Sequence, residues 1–173
     1  ESPTGAEAND QYADNMKYLS LTGAESFEGT IEAFYSPSEF DVCDGMIEVA
    51  AGVNAHQQNR KAFGFAYKTI IGNDIKQNDY GTKLHLLYGC KAAPTERANA
   101  TVNDSPEPAN PSWSITSTPV DVPGHRPTSV LTIDSTKAMP AKWQALLDII
   151  YGTASSEPYL PTPAQVITLM KSA

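Results

Sequence analysis

The amino-acid sequence predicts a mainly β chain with a little α: two packed antiparallel sheets, as in a β-sandwich or partly open barrel, flanked by one good helix. Three observations predict it. Phe63, Phe65, Tyr67, Thr69 and Ile71 fall on one parity and Ala62, Gly64, Ala66 and Lys68 on the other, a period-two strand with a bulky face and a small face. Ser26 to Tyr35 alternates more strictly still: Phe27, Gly29, Ile31, Ala33 and Tyr35 against Ser26, Glu28, Thr30, Glu32 and Phe34. One face of that strand is then buried and the other, mainly polar and acidic, is wet. Third, 13 Pro and 11 Gly suit a loop-rich β chain better than a helical one.

In chain order, residues 1–11 are polar and read as a disordered tract, leaving residues 12–173 as a single domain. Met16 to Leu21 is a strand that Gly23 breaks, and Ser26 to Tyr35 is the next. Ser36-Pro-Ser-Glu-Phe40 reads as a helix start, with Ser36 as cap, Pro37 in the first position and Glu39 in the third. That helix is short, because Gly45 follows, and Met46 to His56 carries little pattern. Arg60 to Cys90 is read as a long antiparallel hairpin. Its strands, 62–71 and 83–90, flank an extended polar tip, Gly72 to Gly81. A short strand is expected around Ala98 to Val102, then a breaker-rich loop over 103–111. Ser112 to Val122 is a strand with Pro119 marking an edge or exit; Pro123 to Pro127 is a loop; Thr128 to Ser135 is a strand. Trp143, Leu146, Leu147 and Ile150 form one apolar helical stripe, with Pro140 at its start and Gly152 past its end. Thr162 can cap a last short helix opened by Pro163, an extended tail being the alternative.

The charge is unevenly spread. Residues 1–50 hold eleven acids and one base (−10), residues 51–100 three acids and seven bases (+4), within a net −8. Such a split fits a solvated face or head-to-tail packing, in which an acidic edge of one copy meets a basic edge of the next. It argues against a nucleic-acid binder, which needs a basic surface to displace counterions. No apolar run is long enough for a membrane span, and no signal or lipidation motif is present. The lack of an initial Met suggests that Glu1 is not the true start. Two cysteines, Cys43 and Cys90, are too few for a disulfide framework and read as reduced thiols, a single bridge being the alternative.

No catalytic or cofactor chemistry emerges. His56, His85 and His125 share no metal-ligand spacing, and no nucleophile elbow or Gly-rich phosphate loop occurs. His85, inside a strand, reads as a satisfied histidine. Gly72 to Asp79 lacks the alternate ligands and closing Glu of a calcium loop. Glu28 and Glu32, four residues apart on one strand, stand roughly 13 Å from each other, too far for a glycosidase pair. Asn99-Ala-Thr101 and Asn103-Asp-Ser105 fit the glycosylation pattern, which is short and common. The expectation is a non-enzymatic chain with no cofactor and no metal.

A set of stretches in order does point somewhere: Tyr12-Ala-Asp-Asn15, Gly29-Thr-Ile-Glu-Ala33, Ser36-Pro-Ser-Glu-Phe40, Gln57 to Tyr67, Gly72-Asn-Asp74, Leu84-His-Leu-Leu-Tyr-Gly89, Asn103-Asp-Ser-Pro-Glu107 and Ser112 to Pro119. From about Gln11 onward the chain resembles the major tail protein, the tail-tube subunit, of long non-contractile-tailed bacteriophages. The resemblance implies a tail-tube fold of two packed sheets and a helix, and hexameric rings stacked into a tube that conducts the genome. It implies partners that are further copies of the chain and other tail proteins, in the virion after assembly in the bacterial cytoplasm. DNA passes without specific binding. Family members usually carry a further segment ahead of Tyr12, so one strand of the fold is expected to be missing. Two site expectations follow. Glu28 and Glu32 are candidates to face the lumen, since an acidic wall repels phosphates. Asn73, Asp74, Lys76, Asn78, Asp79 and Tyr80, in the long polar tip, are candidates for subunit contact. The alternative is a β-sandwich module that recognises a glycan or protein on a phage or bacterial surface, with an exposed Trp113 and Tyr80 or Tyr88 as its platform.

Overall fold

A computed structural model describes residues 2–4, 8–13, 16–22, 26–75, 77–93 and 110–171, with side chains from 26 onward. The chain is mainly β, 47% strand against 19% helix, as the alternation demanded. In order its strands are β1 (Ser2–Thr4), β2 (Ala8–Ala13), β3 (Met16–Thr22), β4 (Ser26–Glu32), β5 (Ile47–Ala50), β6 (Val53–Ala55), β7 (Phe63–Asn73), β8 (Gln77–Ala92), β9 (Ser112–Ser117), β10 (Val120–Val122), β11 (His125–Thr128) and β12 (Val130–Asp134). The helices α1 (Pro140–Tyr151) and α2 (Pro163–Lys171) follow. The chain divides into two compact units, Glu1–Phe63 with Gly89–Thr118, and Gly64–Tyr88 with Pro119–Ala173.

The first unit is an antiparallel ladder, β1-β4-β9 and the C-terminal end of β8. Its registers include Ser2↔Glu28, Ile31↔Trp113 and Cys90↔Ser117. Within the polar tract 1–11, expected to be disordered, Ser2–Thr4 pairs with β4 and Ala8–Ala13 pairs with β3. The alternation holds from Ser26 to Glu32, with Phe27 buried and Glu28, Thr30 and Glu32 exposed; the strand expected to reach Tyr35 stops there, and Tyr35, expected on the buried face, is exposed. Phe27, Trp113, Ile115, Cys90 and Ala92 are buried in this unit. Phe40 meets both Phe63 and Trp113 edge-on, with ring centres 5.1 Å apart in each case, the geometry that aromatic quadrupoles favour. Arg60 holds the loop beneath them: its guanidinium donates to the Asp44 carbonyl at 3.1 and 3.2 Å and to the Ala92 carbonyl at 3.1 Å.

Several local expectations shift. The helix start at Ser36 is a single 3-10 turn, Ser38–Phe40, preceded by Pro37 with no side-chain cap; the Ser36 hydroxyl is buried without a partner. The weakly patterned 46–56 segment forms the β5–β6 hairpin. Gly89 sits at φ +62 with the Thr118 carbonyl oxygen where a β-carbon would stand, so any side chain there would collide with backbone. The segment 98–102, most of the loop 103–111 and the two glycosylation patterns at Asn99 and Asn103 lie outside the described residues.

The second unit is the ladder β7-β8-β12 with the small β10–β11 hairpin and both helices. β12 pairs with β8 from Val130↔Leu87 to Asp134↔Lys83. Leu84, Leu86, Tyr88, Leu146 and Val166 form its core, with Trp143, Leu147 and Ile150 packed against them. The apolar stripe of α1 therefore lies on the sheet, as its spacing required. Each fully buried Leu contributes about 1.5–3 kcal/mol. Helix α2 opens at Thr162, the anticipated cap, which forms a box with Gln165 that was not anticipated: the Thr162 N–H donates to Gln165 Oε1 at 2.8 Å, and the Gln165 N–H donates to Thr162 Oγ1 at 3.4 Å. The loop expected over 123–127 is in fact a tight turn, with Val122 opposite His125 and Pro127 inside the exposed strand β11. In β7 it is the small face that meets the core. Ala66 packs on the cluster, and Gly64 admits the Leu160 side chain and the Leu87 carbonyl so closely that a β-carbon would stand 2.7 Å from that oxygen.

Candidate functional site

The sequence singled out two places, the polar face of β4 and the tip of the long hairpin. On β4, Glu28 and Glu32 both point to solvent, with Thr30 between them. The registers set Glu28 opposite Thr116, Thr30 opposite Ser114 and Glu32 opposite Ser112, and Thr116 opposite Lys91 on β8. Thr116, Ser114 and Lys91 are exposed as well. The surface is thus a hydroxyl lawn with two carboxylates and one ammonium. The alternation of β4 revealed its acids; Lys91, two strands away, was invisible to it. Such a surface offers phosphate little to hold: one cation outweighed by two anions releases few counterions.

The hairpin tip differs from its expectation. β7 runs to Asn73 and β8 begins at Gln77, so the ten-residue tip shrinks to the turn after Asn73. Asn73, Asn78, Asp79 and Tyr80 are strand residues, Asp74 lies in the turn, and Lys76 lies outside the described residues. Asn73 Oδ1 accepts the Ile75 N–H at 3.1 Å, the local bond by which Asn closes turns. Asn73, Asp74, Asn78, Asp79 and Tyr80 are all exposed, so they form one polar end of the hairpin. The residue missed there is Ile75, which is 90% exposed. Its signal was available: it is the one aliphatic side chain in the run 73–80.

Between tip and base, Tyr67 stacks on His85 with ring centres 4.7 Å apart and planes 13° off parallel. His85 Nε2 lies 3.0 Å from Thr69 Oγ1 and Nδ1 3.1 Å from Thr132 Oγ1, so both ring nitrogens are satisfied by hydroxyls. Among the described residues no group of three or more His, Cys, Asp or Glu side chains is placed to hold a metal ion. Cys43 and Cys90 are both thiols, not joined in a disulfide. Burial raises both, Cys90 to about 11, which leaves it protonated and a poor nucleophile. Trp113 is 3% exposed and Tyr88 6%, so neither offers a ring to a ligand. Tyr88 instead donates its hydroxyl to the Pro161 carbonyl at 2.8 Å, and burial pushes its pKa up to about 12. Among the described residues no helix is long and apolar enough to cross a membrane.

No protein-family model, no curated protein and no solved structure matches the chain.

Proposed function

We propose that this chain is a structural subunit that assembles with copies of itself into hexameric rings stacked as a phage tail tube, the conduit through which a genome passes. The observation that carries the reading is the form of the β7–β8 hairpin: an 11-residue and a 16-residue strand ending in a polar turn with Ile75 held out in water. A lone exposed aliphatic side chain is ordinary on a surface. At the end of so long an arm it fits a contact with another molecule. The exposed hydroxyl and carboxylate surface of β4 and β9 supports the second half of the reading, since a wall facing moving DNA must not grip phosphate. The ordered motifs that resemble tail-tube subunits supply the ring and tube, and other tail proteins as further partners. The rival reading, a glycan- or protein-recognition module, loses Trp113 and Tyr88 from its platform because both are buried.

Electron microscopy of the purified chain at high concentration tests the proposal. Long tubes with a central channel are the expected result; dispersed particles at every concentration contradict it. Replacing Asp74–Lys76 by three glycines is expected to preserve the fold and abolish the tubes.

A further inference from the structure

We draw no further inference here: the strongest candidate, the apolar surface of the β5–β6 hairpin on which Ile47, Val49 and Val53 stand exposed, carries none because nothing in the structure shows what covers it.

Discussion

The two ends of the β7–β8 hairpin obey different rules. At its base Leu84 and Leu86 are fully buried, Tyr88 nearly so, and Gly64 lets Leu160 press onto the sheet. At its tip Gln77, Asn78, Asp79 and Tyr80 are all exposed although they belong to the same strand as the base. Base residues are packed in the core; the described tip residues face water, with the Asn73 turn closing the end. The difference separates two kinds of importance. Changes at the base act on stability, and changes at the tip are free to act on recognition alone.

That contrast can be broken by a graded series along the hairpin. Leu86→Ala removes a fully buried side chain from the core of the second unit and is expected to cost about 2–5 kcal/mol, read as a fall in the denaturation midpoint. A loss under 1 kcal/mol would mean the base is far looser than its packing. Tyr88→Phe is expected to cost about 1–2 kcal/mol at neutral pH, because the Pro161 carbonyl loses its donor. This variant also carries a pH signature. The folded pKa of Tyr88 is raised from 10 to about 12, so its phenol contributes its full stability below pH 10 and loses it as pH rises towards 12. The gap between parent and Tyr88→Phe should therefore narrow above pH 10; a constant gap would contradict the burial of that hydroxyl. Ile75→Asp, at the tip, should leave the midpoint within about 0.5 kcal/mol of the parent. A larger loss would show that the tip is structural after all and would blur the comparison.

The same contrast explains what the sequence disclosed. Alternation registers burial on one face and does not register strand pairing as such. β4 was legible because Phe27 goes in while Glu28 and Glu32 stay out; α1 and α2 were legible from Trp143 to Ile150 and from Thr162 followed by Pro163. The tip strands, β5 and β11 left no period-two trace, because Gln77 to Tyr80, Ile47 to Ala50 and His125 to Pro127 are exposed on both faces. Those stretches consequently read as a long tip, an unpatterned segment and a loop. β7 added a subtler failure: its two faces were separable by size, yet bulk did not say which one faced the core. Ala66 joins the cluster while Tyr67 lies against His85 on the opposite side. On the candidate site, the acids of β4 were readable and remain a surface. Ile75 was readable as the one aliphatic side chain in the run 73–80 and was passed over among its polar neighbours, whereas the cavity lined by Gly64 and Leu160 arises from segments about ninety residues apart, which no local pattern can join.

The claim on which the account turns is that the exposed face of β4 lines a channel. A cryo-electron-microscopy reconstruction of the assembled chain measures this directly. The account predicts rings with Glu28, Thr30 and Glu32 of every subunit turned to a central bore. Rings in which those three residues face outward, or lie buried between subunits, would contradict it.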